Sequence, residues 1–148
     1  MKKITGFTLA ELVVTLSVIG ILAAFAMPRF MTRGDFDVFG YSESLRQSLR
    51  FAQKSAVAKR RLVCVTLAAG RLGLSTASTF GSTSCDRPLK DPASGNDFDF
   101  VAPTGVNVPD TSFTFDPAGR ASTAQSLVIS YRELSQTVRV EAETGYVR

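Results

Sequence analysis

Hydrophobic and polar positions divide the chain into three stretches of different period. The first is a near-continuous apolar run from Phe7 to Met27, interrupted by a single charge, Glu11, and closed by Pro28. At 1.5 Å per residue a helix of that length reaches roughly 30 Å, the thickness of a bilayer core. Lys2 and Lys3 ahead of it orient such a span with its start on the cytoplasmic side and the rest outside. Across residues 29–61, Leu45, Leu49, Ala52 and Ala56 recur at helical spacing and predict a helix with a narrow core-facing stripe. Gly34 and Asp35 mark a break in it, and Gly40 weakens its middle. From Leu62 the period drops to two. Strands are expected at 62–67, 71–75, 98–101, 112–115, 127–131 and 137–140, with Ala69-Gly70, Asp116-Pro117-Ala118-Gly119 and Glu143-Thr144-Gly145 as turns. Residues 76–97, rich in Ser, Thr, Gly, Asp and Pro, read as loop. One long helix before roughly four to seven antiparallel strands predicts an α+β fold with the helix packed on an antiparallel β-sheet.

Composition narrows the chemistry. The 148 residues hold 17 Lys and Arg against 13 Asp and Glu, two Cys, no His and no Trp. That length suits one domain with one core. Mean hydropathy is +0.11, and the opening run is its source. Without His there is no His general base, no Ser–His or Cys–His dyad and no His metal site. Asp97 with Asp99, and Glu141 with Glu143, sit two apart and share a face on a strand, a spacing that suits Ca²⁺ or acid–base work. No third ligand or nucleophile–base pattern accompanies them, so they read as solvated acids. The chain therefore reads as no enzyme, with no catalytic residue, cofactor or metal.

Three readings compete for the apolar run. As a secretory signal it offers Ala24-Phe25-Ala26 for cleavage, but its apolar stretch is long and its Glu is out of place. As a plain anchor it leaves Glu11 as an unexplained cost of about 2.5–3.5 kcal/mol if buried deep in lipid. In the third reading Glu11 is functional and needs a cationic partner. Thr8, Thr15, Ser17 and Gly20 are small or polar interruptions that permit close approach between helices.

Gly6-Phe7-Thr8-Leu9-Ala10-Glu11-Leu12, preceded by Lys2-Lys3 and followed by the apolar run and Pro28, resembles the type III signal of type IV pilins and type II secretion pseudopilins. The resemblance implies cleavage after Gly6 by a prepilin peptidase and N-methylation of Phe7. It also implies that Glu11 neutralises the N-terminal amine of a neighbouring subunit during assembly. The boundaries implied are a leader at 1–6, a transmembrane and assembly helix at 7–28, a helix continuation at 29–61 and a β-rich periplasmic domain at 62–148. Leu49 to Val57 with Val63-Cys64-Val65, Phe115 to Arg120, and the ending Val138 to Arg148 are similar to minor pilins of the GspH/FimT type, and also to those of the mannose-sensitive haemagglutinin type.

On that footing the chain is expected to be a minor type IV pilin of a priming or tip complex, held first in the bacterial inner membrane and then in a pilus. The alternative in the same class is a minor pseudopilin of a type II secretion system. Its partners would be other pilins, the peptidase, the inner-membrane assembly platform and the lipid. In an exported domain the two thiols, Cys64 and Cys85, favour a disulfide worth roughly 3 kcal/mol; the other reading leaves one Cys buried and one free. Some FimT-type pilins bind DNA through a C-terminal Gly-Arg-x-Arg, where this chain has Gly145-Tyr146-Val147-Arg148. Arg148, Tyr146 and Arg120 are thus the candidate DNA contacts, with Glu141 and Glu143 opposing them. The basic run Arg46, Arg50, Lys54, Lys59, Arg60 and Arg61 reads as a solvated or subunit-facing helix surface, or as a site for an anionic polymer.

Overall fold

A computed structural model of the chain describes residues 8–26 and 33–148, arranged as two units, Met1–Thr32 and Arg33–Arg148. Gly6, Phe7 and Pro28, named above for processing and for the end of the apolar run, lie outside the described residues.

In the first unit, α1 spans Leu9–Ala26. Thr8 caps it: its Oγ1 accepts from the Glu11 backbone N–H at 3.3 Å, so Glu11 occupies the third helical position, where an acid favours the helix dipole. Thr15 and Ser17 donate their hydroxyls to the Leu12 and Val13 carbonyls at 2.9 and 2.7 Å, which lets polar side chains sit in an apolar helix without an unpaired donor. Leu9, Leu12, Val13, Val14, Leu16, Val18, Ile19, Ile21 and Leu22 are all exposed. The helix is apolar on every side, and its 18 residues measure about 27 Å. Among the described residues no helix is long and apolar enough to cross a membrane.

In the second unit, α2 spans Arg33–Lys59 and runs without interruption through Gly40, with Gly34 and Asp35 inside its first turn. The break expected at 34–35 is therefore not there. Val38, Tyr41, Leu45, Leu49, Ala52 and Ala56, spaced three or four apart, are all buried and form the helix's core stripe. The helix ends in a Schellman turn. Arg60 takes a left-handed φ of 51°, its N–H bonds the Val57 carbonyl at 3.2 Å, and the Arg61 N–H bonds the Ala56 carbonyl at 3.1 Å.

Seven strands follow: β1 (Val63–Ala68), β2 (Arg71–Thr76), β3 (Arg87–Pro88), β4 (Asp99–Val101), β5 (Thr111–Phe115), β6 (Gln125–Tyr131) and β7 (Leu134–Val140). They form two sheets. The larger has the order β3-β2-β1-β5, with β4 also pairing β2, so β3 and β4 share the outer edge of one strand. The smaller is the β6–β7 hairpin, turned by Arg132 at a left-handed φ of 53°. Both sheets are antiparallel, and alternation aims their apolar residues at α2. Val63, Val65 and Leu67 of β1, Phe113 and Phe115 of β5, Leu127 and Ile129 of β6, and Val138 and Val140 of β7 join the helix stripe in one core. Every residue of that core lies between Val38 and Val147, so the unit closes its core by itself. The region read as loop, 76–97, holds β3 and an isolated bridge between Lys90 and Asp97.

Candidate functional site

Three groups of residues were singled out for function: the N-terminal Glu11, the two cysteines and the C-terminal ending. The structure treats them differently. Glu11 sits in the first turn of the exposed helix α1, three residues after the N-cap Thr8. Cys64, on the outward face of β1, is bridged to Cys85, with Cα atoms 6.1 Å apart. The bridge ties the segment after β2 back to the first strand, and the alternative of one buried and one free Cys does not hold.

The C-terminal ending is packed into the domain. Val147 bridges Val140, and the Arg148 and Arg139 backbones exchange hydrogen bonds at 2.7 and 2.9 Å. Two side chains on α2 clamp it. Arg50 donates Nε and Nη2 to the Val147 carbonyl at 3.2 and 2.9 Å. Gln53 Nε2 donates to the Thr144 carbonyl at 2.8 Å and the Gly119 carbonyl at 3.1 Å, joining the two turns flanking the small sheet. Both turns need glycine. Gly145 has φ +62°, and a Cβ there would lie 1.9 Å from the Gly119 carbonyl oxygen; Gly119 has φ +82° and abuts Val57. Asp116 supports the first turn by accepting from the Ala118 and Arg120 N–H groups, each at 2.8 Å. The motifs at 115–120 and 138–148 thus fasten the chain end to the helix.

Among the candidate DNA contacts, Arg148 is paired with Glu141 at 3.0 Å, Tyr146 is exposed, and the Arg120 backbone belongs to the Asp116 turn. The basic run along and just after α2 is similarly divided. Arg46 pairs with Glu43, Arg50 clamps Val147, and Arg61 donates to the Ser78 carbonyl. The paired acids separate as well: Asp97 goes to Lys90, Asp99 to Arg71, and Glu141 to Arg148. Among the described residues no cluster of three or more His, Cys, Asp or Glu could hold a metal.

Among the described residues four groups have displaced pKa values, and each moves away from neutrality. Burial pushes the Tyr41 phenol up to about 12. The Gln47 amide, helped by Arg46, holds Glu43 below the usual carboxylate range. Hydrogen bonds from Ser78 do the same for Asp86, and those from Ala93 and Ser94 for Asp91. None of these groups is poised to exchange a proton at neutral pH.

An exposed apolar helix, a second helix laid on antiparallel sheets and a disulfide-tied loop define a pilin-like subunit. Residues 1–27 match the prokaryotic N-terminal methylation motif. Residues 42–144, more than half of the chain, match the type II transport protein GspH, and the chain belongs to that family. Its fold is similar to that of the minor pseudopilin EpsH from the Type 2 Secretion System of Vibrio cholerae, at 15% identity over 76% of this chain and 94% of that one, with a TM-score of 0.61. It is also similar to the type IV minor pilin FimU of Pseudomonas aeruginosa, at 18% identity over 75% and 86%, with a TM-score of 0.57. No curated protein sequence matches the chain.

Sequence reasoning missed Gln53 and Arg50 as the residues that hold the chain end. Their signal was faint: two polar side chains flanking the buried stripe of a helix, with nothing local to say what they reach.

Proposed function

We propose that the chain is a minor structural subunit of a type IV pilus, held in the membrane by its N-terminal helix until it is drawn into the fibre. One observation carries the reading: α1 is apolar on every side and exposed from Leu9 to Ala23, with Glu11 in its first turn. A helix that is hydrophobic all round is stable only when lipid or other protein covers it. In the sequence the apolar run has the length that a helix needs to cross a bilayer core. Cleavage after Gly6 by a prepilin peptidase would expose the Phe7 amine, which is then N-methylated. Glu11 pairs with that cation on a neighbouring subunit, so the pair sets the stagger between otherwise featureless apolar helices. The role is assembly, with the priming or tip complex as its place, and no catalysis is assigned to it. The family match to a type II transport protein favours a second reading in the same class, a minor pseudopilin of a secretion system.

The test is Glu11→Val in cells that assemble the fibre. The variant is expected to be processed normally, seen as the mature band, yet to be absent from the sheared fibre fraction. Incorporation at the wild-type level would overturn the reading. Deleting the gene separates the two hosts: loss of surface pili supports the first, and loss of secreted proteins with pili intact supports the second.

A further inference from the structure

Between α2 and the segment leading into β4 lies an open cavity of about 700 Å³, within the roughly 300–1,000 Å³ of small-molecule sites. One wall is a single helix face: Ser44, Gln47, Ser48 and Phe51 follow one another at steps of three, one and three and line it together. The other wall comes from residues 91–100, and hydrogen bonds fix its shape. The Asp91 carboxylate accepts from the Ala93 and Ser94 N–H groups at 3.1 and 3.2 Å and from the Ser94 hydroxyl at 2.7 Å. The Asp91 and Gly95 N–H groups bond the Asn96 and Asp91 carbonyls at 2.9 and 2.8 Å, and the Phe98 N–H bonds the Leu89 carbonyl at 2.8 Å. The wall is thus in place before a ligand arrives, which spares the cost of ordering it on binding.

The lining has an aromatic part and a polar part. Phe51, Phe98 and Phe100 are half-buried and give the cavity its aromatic surface. Phe51 and Phe98 stack with centroids 5.9 Å apart, and Phe100 stacks on Tyr41 at 4.8 Å, so each ring is held by a neighbour. The polar part is uncharged at Gln47, Ser48, Ser94 and Asn96, while the charges of Asp97 and Asp99 are matched by Lys90 and Arg71. Asp91 is taken up by its own turn. A cation would therefore meet carboxylates that already have partners, and an anion would meet three carboxylates. Amides and hydroxyls remain, and these donate as well as accept. The ligand that matches such a lining is uncharged, with one apolar face and an edge of groups that also donate and accept. A pyranose ring has both.

We propose that this cavity is a binding site for a neutral oligosaccharide, with the apolar face of a sugar ring against Phe51, Phe98 and Phe100 and its hydroxyls bonded by Gln47, Ser48, Asn96 and Asp97. The C–H groups of the ring cover aromatic area that water touches in the free domain, which supplies the non-directional part of the affinity. Asn96 offers a donor and an acceptor from one amide, and Asp97 has two oxygens for neighbouring hydroxyls. Every residue of the site belongs to the unit Arg33–Arg148, so the site stands whichever fibre hosts the subunit.

The test is isothermal titration calorimetry of the mature full-length chain, in a neutral detergent without a sugar headgroup, with maltotriose, cellotriose and chitotriose as neutral probes and spermidine as a cationic one. At least one trisaccharide is expected to bind, with a Kd that stays the same between about 50 and 500 mM salt, because no charge is neutralised. Asn96→Ala is expected to weaken that binding about tenfold, the loss of a well-made hydrogen bond. Phe98→Leu keeps an apolar side chain but removes the flat ring, and is expected to weaken it about fivefold. Tyr146→Ala removes an exposed aromatic outside the cavity and is expected to change nothing. The melting temperature of each variant is measured alongside; Asn96 is exposed and outside the core, so its loss is expected to leave the melting temperature in place. Failure of every trisaccharide to bind at about 10 mM overturns the proposal. So does tighter, salt-sensitive binding of spermidine, or a trisaccharide affinity that survives both Asn96→Ala and Phe98→Leu.

Discussion

Gln53→Ala is expected to loosen the C-terminal end of the domain, because one amide on the helix donates to both of its turns. In the folded unit, Gln53 Nε2 gives its two hydrogens to the Gly119 and Thr144 carbonyls at 3.1 and 2.8 Å. A hydrogen bond contributes about 0.5–1.5 kcal/mol net, and an acceptor left buried without a donor costs somewhat more. The Gly119 carbonyl belongs to the one buried residue of a turn that is otherwise exposed or half-buried, and is pressed against the position of Gly145, which hinders water from replacing the amide. The Thr144 carbonyl, in an exposed residue, can turn to solvent and should lose less. Together these give a destabilisation of about 2 kcal/mol, which for a unit of this size lowers the melting temperature by about 8 °C. The assay is thermal and urea unfolding of the unit Arg33–Arg148, with Lys54→Ala, an exposed neighbour on the same helix, as control. That control should stay within about 0.5 kcal/mol of wild type. Hydrogen exchange adds a spatial check: protection should fall first at Ala121, Gly145 and Arg148, whose N–H groups bond within this ending. A loss below about 0.5 kcal/mol, or one spread evenly over the sheets, would refute the clamp.

Two further outcomes follow from the same structure. Replacing both Cys64 and Cys85 by Ser opens a loop with a sequence separation of 21 and should cost roughly 3 kcal/mol in the chain-entropy model, read as a shift in the urea midpoint; an unchanged midpoint would show that the bridge constrains nothing. Asp86 and Asp91 are both held below the usual carboxylate range, by Ser78 and by Ala93 with Ser94. Their stabilisation is therefore complete above the unfolded value near pH 4 and fades as pH falls through the folded one, so Asp86→Asn with Asp91→Asn should flatten the acid limb of a stability profile and leave its slope near neutrality unchanged.

How much of the molecule was legible depends on how far apart the deciding residues lie. The buried stripe of α2 and the alternation of β1, β5, β6 and β7 were readable because each is a local period that faces one core. The turn at Asp116 to Gly119 was readable for the same reason, since Asp, Pro and Gly settle it within four residues. The division into two sheets was not readable. Residues 125–140 have a strand pattern, but no periodicity says whether the hairpin adds to the first sheet or stands beside it. The two-residue strand β3 was invisible because Arg87 and Pro88 carry no β pattern; it exists because β2 presents Ser75 and Thr76 as partners. The left-handed Arg60 and Arg132 were likewise unannounced, as both positions usually call for Gly or Asn and take Arg only because the surrounding bonds hold them.

By itself the sequence determined the apolar first helix with its lone Glu11, the α+β order of elements and the chemical pressure towards a Cys64–Cys85 bridge, because these follow from composition and short periods. The tertiary structure alone decided what each charge does. The six cations between Arg46 and Arg61 look equivalent in the sequence. In the fold Arg50 reaches a carbonyl 97 residues away, Arg46 is spent on Glu43, and Lys59 joins Arg61, Arg87 and Lys90 around one groove. A charge acts through what lies within a few ångströms of it, and chain closure over such separations sets that distance.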